Sequence, residues 1–263
     1  MDRLGSPSPD LLDSLTAAMC SVLGDDLVGL YLYGSAVTGG FDVGVSDLDL
    51  AAVTGPEVEM LDLVALERMH RNFEERNPEW SGRIEVVYIG RATLASFRTS
   101  PGTVAVISPG EPFHVRDDRV ADWLQNWYLV RTTARTLWGT PADDVVPIVA
   151  WREFVDAAVR YADEVGKRSR ANIGGGTLAY TILTLCRALR VVRTQTPGSK
   201  QDGAAWARER FPDWAWLIDA SLACRLSGGK AGLDDESSRA AAETFIAQVV
   251  GEISGGGAVE AVR

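Results

Sequence analysis

The sequence predicts an α+β N-terminal domain, a mixed sheet flanked by helices, followed by an all-α helical bundle. Three observations carry this. Through the first half, short apolar and aromatic runs alternate with amphipathic stretches, the pattern of layered helices and strands. From Trp151 onward, apolar residues recur only at helical spacing. Between the two, "WGTPADDVVPIVAW" carries Gly139, Pro141 and Pro147 and reads as a loop between domains. The domains expected are 1–146 and 147–263.

In chain order, "DLLDSLTAAMCSVLG" is a helix stopped by Gly24. "LVGLYLYG", bounded by glycines, and "LDLAAV" are strands. "EVEMLDLVALERMHRNFEER" is one long amphipathic helix, and "GRIEVVYIG" a β-branched third strand. After Gly102, "TVAVI" and "PFHVR" are weaker strands, and a helix runs from Asp122 to Leu137. Five helices follow: "WREFVDAAVRYADEVGKRS", "GTLAYTILTLCRALRVVRT", "KQDGAAWARERF", "DWAWLIDASLACRLS" and "DESSRAAAETFIAQVVGEI". Their short connections predict an antiparallel bundle. Gly174, Gly175 and Gly176 have no strand before them, so they read as a helix-to-helix turn rather than a phosphate loop. The tail "SGGGAVEAVR" reads as frayed.

Composition narrows the function. The chain has 263 residues, 46% hydrophobic and 24% charged, ordinary for a globular protein. No apolar run reaches the roughly 18 residues of a membrane helix, and the start lacks an apolar leader core. Cys20, Cys186 and Cys224 are odd in number and far apart, so they read as buried thiols of a cytoplasmic protein. With His70 and His114 as the only histidines, a zinc site or a Ser-His nucleophile is improbable. A net charge of −10 argues against a nucleic-acid backbone as partner. It suits a small cation, or solubility alone.

The chemistry is concentrated in "YLYGSAVTGGFDVGVSDLDLAAV". On a strand, Asp47 and Asp49 fall on one face and Leu48 and Leu50 on the other. Two such carboxylates suit Mg²⁺, which takes hard oxygen ligands and substrate phosphates. A solvated strand edge would read the same way. Gly34 lets a ligand approach the backbone, and Ser35 offers a hydroxyl and an N–H at the start of a helical turn. A plain turn is the alternative. Glu85 is an acid within an apolar strand, facing either water or a partner. If its strand pairs beside "DLDLAAV", three carboxylates converge next to the Gly-Ser turn, as needed to hold Mg²⁺ and activate a hydroxyl.

"YGSAVTGG…SDLDLAAV" resembles the G-S-x(n)-D-x-D signature of the nucleotidyltransferase superfamily with the polymerase-β-like fold. "LVRTTARTLWGTPADDVV", "LTLCRALRVVRT" and "SKQDGAAWARERFP" narrow the resemblance to the aminoglycoside (3'')(9) adenylyltransferases. The resemblance implies a nucleotidyltransferase domain, a helical domain, and Mg²⁺-dependent transfer of AMP from ATP to a hydroxyl of a streptomycin- or spectinomycin-like drug. Pyrophosphate leaves and the drug is inactivated. It implies that Gly34, Ser35 and Ser46 contact nucleotide phosphates and that Asp47, Asp49 and Glu85 form the metal site, with Glu85 the base. Arg187 and Lys200 fall at nucleotide-contacting positions, and Arg225 near one. For the acceptor, it implies Glu111, Phe113 in place of a stacking aromatic, and Tyr180, where "GGGTLAYTILTL" lacks the acids that relatives carry. The expected partners are ATP and a cationic aminocyclitol, with no membrane and no nucleic acid, and the expected state is a cytoplasmic monomer. The competing readings are transfer to another acceptor (protein, RNA or another small molecule) and a degenerate nucleotide-binding module.

Overall fold

The computed structural model describes residues 6–118, 123–168, 174–229 and 232–255. The expected frayed tail beyond Gly255 lies outside them. The chain divides into two compact units, Met1–Ala150 and Trp151–Arg263.

The first unit is built on six strands: β1 Leu27–Tyr33, β2 Leu48–Thr54, β3 Ile84–Gly90, β4 Gly102–Ser108, β5 Glu111–Asp118 and β6 Arg135–Gly139. Their order is β5-β4-β3-β2-β1-β6. The β2–β3 pair is parallel and the other pairs antiparallel, so the sheet is mixed. A parallel pair needs a crossover, and helix α3 (after α1 Pro9–Leu23 and α2 Ser35–Thr38) supplies it over Leu63–Arg76. Local chemistry sets both long helices. Ser8 caps α1 by accepting from the Leu11 amide at 3.3 Å, with Pro9 at the first helical position. Asp62 caps α3 through the Ala65 amide at 2.9 Å. That cap starts the helix after Asp62, so the single helix expected over residues 57–76 divides into a 3₁₀ turn, Val58–Met60, and α3.

Leu12, Leu15 and Met19 of α1 and Leu66 and Phe73 of α3 bury against Leu30, Leu32, Leu48, Leu50, Val86 and Tyr88. These strand residues share one face of the sheet. By the period of two, Tyr33, Asp49 and Glu85 share the other. Three short helices complete the unit: α4 Arg91–Ala95, α5 Leu124–Thr133 and α6 Ala142–Val145.

The helix expected through Leu137 is corrected. Helix α5 ends at Thr133, and Arg135–Gly139 is β6, paired with β1 from Gly29 to Leu32. The open hydrogen-bonding edge of β1 outweighs the weak helical pattern of "RTLWG".

A buried polar contact ties α3 to the sheet. His70 is 1% exposed, and its Nε2 lies 2.7 Å from the Tyr88 hydroxyl. Burial depresses the His70 pKa to about 4. The folded protein therefore keeps His70 neutral, while the unfolded chain protonates it near pH 6.5. The stability held above pH 6.5 falls with pH and is fully lost near pH 4, on the order of 3 kcal/mol. Denaturant unfolding of wild type and His70→Gln across pH 4–7 should show the two stability curves converging as pH falls.

The second unit contains α7 Trp151–Arg168, α8 Gly175–Thr194, α9 Lys200–Arg210, α10 Ala215–Leu226 and α11 Glu236–Gly255. Helix α8 is its centre, with Leu178, Ile182, Leu183, Leu185, Leu189 and Val192 all buried. The other four helices pack on it. The Gly175 amide donates to the Asp234 carboxylate at 2.8 Å, so an acid holds the position that a phosphate would take in a phosphate loop. The three glycines mark the start of α8. Among the described residues, no helix is long and apolar enough to cross a membrane.

Candidate active site

Three side chains stand in a row across three adjacent strands. Tyr33 of β1 is directly opposite Asp49 of β2, which is directly opposite Glu85 of β3. Tyr33 is 4% exposed, and both acids are half-buried. Burial first, then the charges of Asp49 and Glu85, hold the Tyr33 hydroxyl well above its ordinary pKa, so it remains a neutral donor. Like charges on facing strand positions repel, and this arrangement attracts a cation or a proton.

Gly34 closes one end of the row. Its backbone is left-handed, with φ 69°, and a Cβ placed there would lie 2.1 Å from Asp49 Oδ2. Glycine is required both for the conformation and for the approach of the Asp49 carboxylate. Ser35, half-buried, begins α2 directly after it.

Ser46 is 3% exposed and closes the loop ahead of β2. Its hydroxyl oxygen accepts from the Asp42 amide at 2.9 Å, and its own amide donates to the Asp42 carbonyl at 2.8 Å. Asp47 lies one residue before β2, half-buried. Among the described residues, no group of three or more His, Cys, Asp or Glu converges to hold a metal. Asp49 and Glu85 form a facing pair, with Asp47 in the loop beside it. This donor set fits Mg²⁺, which is held by one or two carboxylates together with substrate phosphates.

Of the residues expected to meet the acceptor, Glu111 begins the edge strand β5, its side chain 55% exposed, with His114 Nε2 and Arg116 Nη1 each at 3.8 Å. Phe113 requires a correction. Its ring packs 6.0 Å from His70 and 6.1 Å from Tyr88, in the core under α3. Register places His114 opposite Val106, which is opposite Val87, so His114 and Arg116, rather than Phe113, share the face of Glu85. Phe113, half-buried, therefore packs against the core on the face opposite Glu85.

In the second unit, Arg187 lies half-buried on α8 and Lys200 begins α9. A Cβ at Gly203 would lie 2.6 Å from Arg187 Cα. Glycine there lets α9 approach α8 closely at the level of Arg187. Lys200 Nζ sits 4.1 Å above the Tyr180 ring, whose hydroxyl is 3.3 Å from that of Tyr161. Arg225 lies in the last turn of α10. Tyr33 was legible only as part of an apolar run. Its place beside the acids follows from the register of β1 on β2.

Residues 144–251 match the family model for the aminoglycoside adenylyltransferase C-terminal domain. In fold, the chain is similar to the spectinomycin adenyltransferase AAD(9) from Enterococcus faecialis, solved with ATP and spectinomycin. The TM-score is 0.73 and the identity 16%, covering 94% of this chain and 100% of that one. No curated protein matches the chain in sequence. Residues 144–251 thus resemble the C-terminal domain of the aminoglycoside adenylyltransferases, and nearly the whole chain shares the fold of the spectinomycin adenyltransferase.

Proposed function

We propose that this enzyme transfers AMP from ATP to a hydroxyl of an aminoglycoside or aminocyclitol of the streptomycin–spectinomycin type, in a Mg²⁺-dependent reaction. The observation that carries the reading is the Tyr33–Asp49–Glu85 row with Gly34 against Asp49. The ATP and spectinomycin bound by the similar Enterococcus enzyme support it. Glu85 accepts the proton of the acceptor hydroxyl, whose oxygen then attacks the α-phosphorus of ATP in line. The new P–O bond forms as the bond to the β-phosphate oxygen breaks, and pyrophosphate leaves. Asp47 and Asp49 would hold Mg²⁺, which would supply charge neutralisation at the phosphates. Ser35 and Ser46 orient the phosphates, and the bare Cα of Gly34 lets the Asp49 carboxylate lie against the Gly-Ser turn. Arg187, Lys200 and Arg225 hold the triphosphate as positive charges. The neutral Tyr33 hydroxyl lies in the same row, on the face of the sheet that carries the carboxylates. Glu111 and Tyr180 serve the acceptor's ammonium groups, one by charge and one by its aromatic face.

The test is a panel of aminocyclitols and aminoglycosides with ATP, read by pyrophosphate release and product mass. Release that requires both Mg²⁺ and an acceptor, with the acceptor heavier by one adenylyl unit, is expected. Release with tRNA or protein and none with any drug of the panel would assign the chain to another acceptor class.

A further inference from the structure

Asp47 lies between two peptide units that are both tied to one residue. Arg83, half-buried and just before β3, donates from Nη2 to the Ser46 carbonyl. The Arg83 carbonyl accepts from the Leu48 amide at 2.8 Å. The guanidinium is fixed in turn. Its Cζ lies 4.6 Å above the Trp80 ring, and Nη1 donates to the Glu79 carbonyl at 3.2 Å. The far side of this support reaches the start of the same loop, where Phe41, 4% exposed, stacks with Trp80 at 6.3 Å. One guanidinium thus joins both ends of the segment Phe41–Ser46, whose own hydrogen bonds, Val45 and Ser46 amides to the Asp42 carbonyl, make it a closed turn.

From this geometry we infer that Arg83 is a positioning residue for nucleotide and metal binding, setting Asp47 and Ser46 against the carboxylates of β2 and β3. The role rests on the adenylyl-transfer reading above. Only arginine meets its demands: a planar fork that donates in two directions while stacking on an indole. Its Nε–H is buried without a partner. A residue chosen for packing alone would avoid that cost. The carbonyl it holds precedes Asp47 and the amide it holds follows, so rotation of either peptide would swing the Asp47 carboxylate.

Two variants test this. Arg83→Met keeps an apolar stem over Trp80 and removes the donors, whereas Arg83→Lys keeps the charge and removes the fork. Binding of a fluorescent ATP analogue with Mg²⁺ should weaken by about 10- to 100-fold in Arg83→Met, the usual effect of losing an orienting partner behind a metal ligand. Arg83→Lys should fall between. Amide hydrogen exchange should quicken in residues 42–48 and stay unchanged in β1 and β4. Unaltered analogue affinity, unaltered exchange in that segment, or exchange quickened evenly through the sheet would each overturn the assignment. If Arg83→Met does not fold, the same two measurements on Arg83→Lys decide. Wild type that fails to bind the analogue would instead overturn the adenylyl-transfer reading, a result separate from the exchange pattern.

Discussion

Glu85→Gln is expected to lower AMP transfer by about 10³-fold while ATP binding and thermal unfolding stay near wild type. Glutamine preserves the shape of a half-buried side chain on β3 and removes its capacity to take a proton. General-base catalysis contributes roughly 10²–10⁴-fold, which sets the size of the loss. Stability should hold or rise slightly, because the substitution removes one of two like charges at facing positions. Single-turnover measurement of pyrophosphate release separates the chemical step from binding. Unchanged turnover would remove Glu85 from proton transfer.

Gly34→Ala should be nearly as damaging, by another route. The φ of 69° costs any L-residue about 1–3 kcal/mol, and the new methyl would stand 2.1 Å from Asp49 Oδ2. The carboxylate must move, and a displacement of about 1 Å at a reacting centre costs on the order of 10²-fold in rate. Gly39→Ala is the matched control. Its φ is 83°, yet nothing lies within 4 Å of the added Cβ. Both variants should lose stability in denaturant unfolding, Gly34→Ala the more because its ψ of −146° lies outside the αL region of Gly39 and its methyl meets Asp49, while only Gly34→Ala loses AMP transfer. Equal activity losses would assign the effect to backbone strain instead of to Asp49.

Much of this was legible in the chain. Strands β1 to β5 announced themselves by β-branched and aromatic runs, and α7 to α11 by helical period, because burial of one face writes itself into the pattern. What escaped is non-local. Arg135–Gly139 has no strand signature of its own and becomes β6 only by hydrogen bonding to β1. That Asp49 faces Glu85 depends on β2 and β3 running parallel with aligned register, which α3 and its packing decide. Phe113 shows the same limit at one residue. The composition of "GEPFHV" offered an aromatic for the site, and the period of two turned it into the core. Arg83 could not be singled out either, since its partners are a backbone carbonyl and an indole that only the folded loop brings to it.

The late return of β6 has a bearing on solubility during synthesis. Strand β1, "LVGLYLY", is uncharged and built of residues that favour pairing. One of its edges is taken by β2 early in the chain, whereas the other stays open until Arg135–Gly139 has been made. An open apolar edge is a template for another copy of itself. The short, exposed β6, with an arginine at its first position, acts as a guard rail on that edge. A chain truncated or nicked ahead of Arg135 would keep its acids and its Gly-Ser turn and still tend to aggregate.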